Sequence, residues 1–471
     1  MWIAVDKNKN ISLSRQIYTQ IKQLILEGSL SEDDKLPSSR ELSKELYVSR
    51  NTILEAYNQL IAEGYLQGNH GSGTIVANGI SKYKIPGSDI KNILSIREEP
   101  AKNKIIDFSS GIPDLTLFPK KELGKLYQSA CINLSEKAFR YHSPAGVAKL
   151  RYAISDYLFR TRGLCCNPNN LMIVSGSTQG LSLISRLLYA KDKKVLIENP
   201  THPGLKNVIA KVGFPVTGVD ADDYGLNTQL LKSSKDIAFI YTTPSHQYPL
   251  GSILPIKRRL DLIQYALANN CYIIEDDYDS EFHYVGQPVN SLCELNPQKV
   301  IYIGTFSKIL SPSIRIGYLI LPDEIISPYL ELKQYSDVHT ESLSQYVLAE
   351  FIQNGGLEKH VWKMKKVYAK KRQHLIDELT RYFPGEFEIR GHAAGLHIIV
   401  RFYNVVFTKE LVNKIYKNNV KIYPLENYNF QNTTNYENQV LLGYGHLELT
   451  EISEGIRLLS QSLKSVLPSI G

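Results

Sequence analysis

Between residues 171 and 321 short apolar runs recur, and most of them close on a cluster of polar residues. The runs are Leu171-Met172-Ile173-Val174, Val195-Leu196-Ile197-Glu198, Ile237-Ala238-Phe239-Ile240-Tyr241, Cys271-Tyr272-Ile273-Ile274, Val300 to Ile303 and Ile316 to Leu321. Runs this short, bounded by turn residues, read as strands buried on both faces. Helix-length segments lie between them, the clearest from Leu181 to Tyr189. These spacings predict a mostly parallel sheet with helical crossovers. Ligands bind such sheets beyond the carboxyl ends of the strands. The polar clusters fall there: Ser175 to Gly180, Thr242 to Tyr248, Glu275 to Asp279, and Gly304-Thr305-Phe306-Ser307-Lys308.

The last cluster carries the most specific chemistry. Lys308 stands at the mouth of a strand among hydroxyls, with Arg315 seven residues on. Its amine can form an imine with an aldehyde while the hydroxyls and the guanidinium hold a phosphate on the same ligand. Pyridoxal phosphate is that ligand. A lone Ser-Lys pair after a strand is more often a surface lysine, so the other clusters decide the matter. Ser175-Gly176-Ser177-Thr178 opens a helix, where free amides and hydroxyls bind anions, although such turns also serve as plain caps. The acidic cluster lies about thirty residues before the lysine. One of its carboxylates can pair with a protonated pyridine nitrogen and keep the ring electron-withdrawing. A metal site of Asp276, Asp277 and Asp279 is the competing reading; no histidine or second acidic cluster is placed to complete oxygen ligation.

Residues 1–80 follow a different pattern. Ile17, Ile21, Leu24 and Ile25 recur at helical spacing and Gly28 stops that helix. Ser38 with Glu41 forms a capping box for a short helix to about Leu46. After the turn Tyr47-Val48-Ser49 comes a third helix with Ile53, Leu54, Tyr57, Leu60 and Ile61, ended by Gly64. Tyr65 to Val76 reads as a hairpin with a glycine-rich tip. Three helices and a hairpin in this order make a winged helix-turn-helix, whose third helix enters the major groove N-terminal end first. That end carries Ser49, Arg50, Asn51 and Thr52, donors for phosphates and base edges. The alternative is a three-helix protein-interaction module. It is favoured by charge, because these 80 residues hold eight Lys+Arg against nine Asp+Glu, a net of −1.

Composition narrows the class. A chain of 471 residues with 43% hydrophobic and 21% charged content is globular and exceeds one ordinary domain. No apolar run reaches membrane-crossing length, and the N-terminal stretch lacks the apolar core of a signal peptide, so a cytoplasmic protein is expected. Five cysteines, two of them adjacent, suit neither a disulfide framework nor a metal site. The net charge of +7 permits a nucleic-acid partner without demanding one. The expected domains are a winged helix over 1–79, a lightly basic linker over 80–104, and an α/β body over 105–471 with a smaller α+β subdomain from about 345.

Residues 11–77 resemble the GntR-type winged helix. The shared motifs are Leu36-Pro37-Ser38-Ser39-Arg40-Glu41-Leu42, Val48-Ser49-Arg50-Asn51-Thr52 and Glu63-Gly64-Tyr65. The resemblance implies sequence-specific binding of a dimer to promoter DNA, with Arg40, Arg50, Thr52 and the tip Gly71-Ser72-Gly73 as contacts. Residues from about 105 to 465 resemble fold-type I aminotransferases, and in particular the body of MocR-type regulators, which fuse that fold to a GntR winged helix. The carrying motifs are Phe139 to Gly146 with Leu150-Arg151, Ser175 to Gly180, Glu275 to Phe282, and Gly304 to Lys308. The resemblance implies that Lys308 forms the internal aldimine, Asp276 pairs with the pyridine nitrogen, and Tyr278 bonds the ring hydroxyl. It gives the phosphate to Ser177, Thr178, Ser307 and Arg315. Tyr141 would reach the phosphate of a partner subunit in a homodimer with shared sites.

Three positions depart from the aminotransferase pattern. His202 stands where a tyrosine usually covers the ring. Tyr248-Pro249-Leu250-Gly251 replaces Asn-Pro-x-Gly. Leu441-Leu442-Gly443-Tyr444 replaces Arg-Leu-x-Phe, whose arginine clamps the substrate carboxylate. Losing that clamp removes roughly 2–3 kcal/mol of charge-assisted binding. The chain therefore reads as a regulator that senses pyridoxal phosphate, or an amine or amino acid held as its external aldimine, with at most residual half-transamination. Arg401 or His446 could hold part of such an effector. The alternatives are a working aminotransferase with an appended DNA-binding head, and a regulator whose cofactor site is vestigial.

Overall fold

The computed structural model describes residues 3–7, 9, 11–69, 73–80, 105–232, 234–284, 289–391, 393–431 and 436–464. Its contacts divide the chain into two units, Met1–Ala101 and Lys102–Gly471. Gly71 and Ser72 of the hairpin tip, and residues 81–104 of the linker, lie outside the described residues. Among the described residues no helix is long and apolar enough to cross a membrane.

The first unit is three helices and a hairpin. Helix α1 (Leu13–Leu26) buries Ile17, Tyr18, Ile21 and Ile25 on one face. Helix α2 (Ser39–Glu45) starts on a complete capping box: the Ser38 hydroxyl accepts the Glu41 N–H, and the Glu41 carboxylate accepts the Ser38 N–H at 2.9 Å. Helix α3 (Arg50–Ala62) starts on Ser49, whose hydroxyl accepts the Thr52 N–H at 3.1 Å. It buries Ile53, Ala56, Tyr57 and Leu60 against α1 and α2. Strands β1 (Leu66–Asn69) and β2 (Gly73–Val76) pair antiparallel, Leu66 opposite Val76, and both of those side chains join the core.

The second unit holds the α/β body. Strand β3 (Ile106–Asp107) opens it. Strands β4 (Leu171–Val174), β5 (Lys194–Asn199), β6 (Val216–Asp222), β7 (Gly225–Leu226), β8 (Ile237–Thr242), β9 (Tyr272–Asp277), β10 (Val300–Thr305) and β11 (Gly317–Ile320) form one sheet in the order β4-β11-β10-β9-β8-β5-β6-β7. Its central strands are parallel, while β11 runs antiparallel to both neighbours and β7 antiparallel to β6. The reversal of β11 has a simple cause. Only residues 306–316 separate it from β10, fewer than a parallel crossover requires. Strand β6 escaped the sequence reading because its half-buried residues interrupt the apolar run.

A four-stranded antiparallel sheet follows, in the order β12 (Phe387–Arg390), β13 (His397–Phe402), β16 (Gln439–Gly443) and β15 (Tyr423–Pro424). Helices Gly356–Tyr382 and Leu449–Leu463 pack beside each other and bury Leu375, Leu379, Ile456 and Leu459 in the core that the sheet shares. Strand β14 (Val420–Lys421) pairs with β3, so residues 106–107 are tied into the C-terminal region.

Candidate cofactor site and nucleic-acid interface

The carboxyl ends of β8 and β9, the N-terminus of the helix Ser177–Leu187 and the loop Ser109–Gly111 enclose a cavity of about 320 Å³. Lys308 lines it, three residues past the end of β10. Its Nζ donates to the Gly111 carbonyl at 2.7 Å. Gly111 has φ +71, a backbone conformation that favours glycine, and a Cβ there would stand 2.8 Å from Lys308 Nζ and push the amine from its seat. Burial lowers the Lys308 pKa, with the Asp279 and Asp276 carboxylates pulling the other way. A depressed pKa raises the fraction of free, nucleophilic amine.

Strand alternation sorts the acidic cluster. On one face of β9, Glu275 accepts the N–H groups of Leu292 and Cys293 at 3.0 and 2.9 Å and caps a short helix. Asp277, also on that face, pairs with Arg162 at 2.9 Å and accepts the Tyr302 hydroxyl at 2.6 Å. Asp276 lies on the opposite face and lines the cavity. Its Oδ2 accepts the Tyr241 hydroxyl at 2.5 Å, while Oδ1 is buried with no partner. Burial pushes its pKa up to about 6, opposed by the Tyr241 hydrogen bond. Asp279 is buried and paired with His246 at 3.0 Å. Among the described residues no acidic or histidine cluster could hold a metal ion.

The remaining candidates divide into those in the cavity wall and those outside it. Ser177 and Thr178 line it and begin their helix after Gly176, with no side-chain cap on the helix amides. Arg315 and Ser307 are not in the wall. The Arg315 guanidinium nonetheless lies against Gly176, where a Cβ would approach it to 3.0 Å, and donates to the Ser175 carbonyl at 2.6 Å. The Ser307 hydroxyl accepts from Thr305 at 3.1 Å. His202 lines the cavity and caps the helix Pro203–Val212, its Nδ1 accepting the Gly204 N–H at 3.0 Å. Burial first, and Lys308 second, lower its pKa. Tyr248 lines the wall with its hydroxyl 2.7 Å from that of Ser110. Tyr278 also lines it, but its hydroxyl is held 2.9 Å from His246 Nδ1. Tyr141 is 86% exposed and stands away from the cavity of its own chain.

Sequence reading assigned no role to several wall residues. Tyr241 ends an apolar run whose position was visible and whose contacts were not, and the segment with Ser110 carried no sequence signal. His397, Tyr423 and Tyr428 come from the C-terminal region and reach the cavity only through the tertiary fold. The two side chains considered for effector binding sit elsewhere. Arg401 stands 3.8 Å from Glu388 on the neighbouring strand, and His446 Nε2 lies 2.9 Å from the Asp107 carbonyl oxygen. Neither lines the cavity.

In the first unit, Arg40, Ser49, Arg50 and Asn51 are exposed at the starts of α2 and α3. The hydroxyls of Ser49 and Thr52 lie 2.8 Å apart, and Arg50 Nε donates to the Ser39 hydroxyl at 3.3 Å. That bond links the two helix starts across the turn. Gly73 begins β2 with φ +104.

Comparison with known proteins matches both units. Residues 13–76 match the family "Bacterial regulatory proteins, gntR family", and residues 103–434 match "Aminotransferase class I and II". The uncharacterised HTH-type transcriptional regulator YdeL of Bacillus subtilis (strain 168) is 34% identical over 463 residues, covering 98% of each chain. The HTH-type pyridoxine biosynthesis transcriptional regulator PdxR of Corynebacterium glutamicum is 32% identical over 399 residues, 84% of this chain and 85% of its own. The crystal structure of an archaeal alanine:glyoxylate aminotransferase superposes with TM-score 0.72 at 26% identity, covering 78% of this chain and 92% of that one. A winged helix of one family and an aminotransferase body of another, joined as they are in full-length relatives, place the chain among the MocR-type members of the gntR family: it is a pyridoxal-phosphate-dependent transcriptional regulator.

Proposed function

We propose that the regulator senses pyridoxal phosphate, or an amine or amino acid captured beside it, and couples that occupancy to its hold on promoter DNA. The observation that carries this is the Asp276 carboxylate. One oxygen is satisfied by Tyr241 and the other is buried without a partner in a cavity that also holds a lysine of depressed pKa. A protonated ring nitrogen would meet that orphaned oxygen. The bound cofactor supplies an aldehyde that traps amines and an electron-withdrawing ring.

The residues of this chain then divide the work. Lys308 offers the amine to the aldehyde. Ser177 and Thr178, with the open amides of their helix and the neighbouring Ser307 and Arg315, hold the phosphate. His202, Tyr248 and Tyr278 bound the ring. Tyr141, exposed in one chain, reaches the site of a second copy in a homodimer. In the first unit Arg40, Ser49, Arg50, Asn51 and Thr52 contact DNA, with Gly71, Ser72 and Gly73 on the adjacent backbone. A protein with this duty works in the cytoplasm. For the ligand to act as a switch it must bind the DNA-holding and DNA-releasing arrangements with different affinity.

One finding weighs against a working transaminase: Leu441 is fully buried where the substrate arginine would stand. The experiment is multiple-turnover assay of purified protein with amino acids and a keto acid. The reading predicts no sustained turnover. Cycling at ordinary enzyme rates, on the order of 1 per second or more, would contradict it.

A further inference from the structure

The part of the cavity wall formed by Tyr248, Tyr423 and Tyr428 carries no lysine or arginine among the described residues. Strand β16 alternates its side chains, so Val440 and Leu442 enter the main core while Leu441 turns to the other face. There Leu441 is buried with Ile399, Tyr428 and Tyr436, and Tyr248 and Tyr423 pack against the same cluster. Tyr248, Tyr423 and Tyr428 are also the cavity wall. Leu441 thus stands directly behind the aromatic surface that a ligand would touch.

The polar groups at this end are neutral or already paired. The Tyr248 hydroxyl meets Ser110 at 2.7 Å, and the rings of Tyr248 and Tyr428 lie 5.7 Å apart. Tyr423 donates to Asp107 at 2.8 Å, and the other Asp107 oxygen pairs with Lys421 Nζ at 3.0 Å. Among the described residues Lys308 is the one lysine or arginine in the wall, and Asp276 and Asp279 share that wall with it. The cation behind these rings, Lys421 with its Nζ 5.0 Å from the Tyr423 ring centroid, is outside the wall and already paired with Asp107. A carboxylate brought here would therefore be desolvated beside tyrosine rings without a free cation of its own, a costly arrangement.

We propose that the ligand captured beside the cofactor is a primary amine that carries no carboxylate, its carbon tail lying against Tyr248, Tyr423 and Tyr428. This rests on the reading of Lys308 as the cofactor's attachment point. Capture exchanges one carbon–nitrogen bond for another. With the cofactor bound, the incoming nitrogen would bond the former aldehyde carbon, the bond from that carbon to Lys308 Nζ would break, and two protons would pass from the incoming amine to Lys308. Nothing is oxidised or reduced. The freed lysine has a seat, the Gly111 carbonyl at 2.7 Å.

The test uses full-length protein loaded with pyridoxal phosphate and desalted, titrated with pairs that differ only in the carboxylate. The pairs are n-propylamine against 2-aminobutyrate, and 2-phenylethylamine against phenylalanine, followed by the visible band. The amine of each pair should half-saturate at a concentration at least tenfold lower. An amino acid that matches or beats its amine overturns the proposal, as does a band that neither member of either pair shifts. A protein that never acquires a band overturns the cofactor reading itself and this proposal with it. In Leu441→Arg protein that still takes up the cofactor, the preference should narrow or reverse; an unchanged preference would refute the role given to Leu441. The wild-type pairs decide the ligand class whether or not that variant folds.

Discussion

The two units solve the problem of assembling a site in opposite ways. In the winged helix, the helix-borne contact candidates come from neighbouring segments, Arg40 and then Ser49 to Thr52, and each helix start is fixed by its own cap. In the body, the cavity draws on residues as far apart as Ser109 and Tyr428. The first site needs little more than local backbone geometry. The second exists only when the large sheet, the helix starts and the C-terminal sheet are all in place. The lesson is that damage to the two sites should separate cleanly, and substitutions can be ranked by how hard they test that separation.

The largest effect is expected from Lys308→Ala. It should abolish the visible band and all borohydride labelling, while the cofactor-free variant binds promoter DNA within about twofold of cofactor-free wild type, as ΔΔG near zero requires. Absorbance and fluorescence anisotropy measure the two arms. A large loss of basal DNA affinity would show that the sites are not separable.

Asp276→Asn should weaken cofactor binding roughly ten- to a hundredfold, the worth of a charge-assisted hydrogen bond. It should also stabilise the cofactor-free protein in a pH-dependent way. The folded pKa of about 6 lies above the ordinary 3.8, so the folded state holds the proton more tightly. Below the unfolded value both states are protonated and burial of this carboxyl carries no ionisation penalty. The penalty grows as pH rises through the window and is complete above about 6. Thermal melts of the variant should therefore exceed those of wild type at pH 8, by an amount on the order of 2 kcal/mol, with the gain shrinking toward pH 5.

Arg50→Ala should weaken DNA binding by roughly 1–3 kcal/mol if it reads a base edge, or reduce the salt slope by about one if it contacts phosphate. The cofactor band should be unchanged. The smallest effect is expected from Ser38→Ala, which removes the cap of α2 and should cost about 1 kcal/mol in the first unit, read as a lower melting temperature by calorimetry. The visible band should again be unaffected.

This contrast also explains what the sequence made legible. The capping box at Ser38 and Glu41, the turn at Tyr47 to Ser49 and the hairpin signal are local, so residues 36–76 disclose most of that unit; the Ser49 cap emerged only with the structure. The buried strands of the body announce themselves as apolar runs, and their polar ends mark Ser177, Asp276 and Lys308. The direction of β11 was harder, since it depends on the length of a connection more than on composition. The facing of Asp276 against its neighbours becomes clear only once the strand is placed and Glu275 and Asp277 find the partners Leu292, Cys293 and Arg162. Tyr423, Tyr428 and His397 had no local signal at all, because their role is set by the packing of a distant sheet against the cavity. The missing arginine at Leu441 could be read from a motif; the tyrosine wall in front of it could not.

The central claim is that occupancy of the cavity changes the grip of the winged helix on DNA. The direct measurement is the affinity of cofactor-free and cofactor-loaded protein for a fragment of the protein's own promoter region, by fluorescence anisotropy at one fixed salt concentration. A coupling of at least about 1 kcal/mol, some fivefold in affinity, is predicted in the presence of pyridoxal phosphate or of pyridoxal phosphate plus captured amine. Equal affinities in all these states, with the cofactor demonstrably bound at Lys308, would contradict the account.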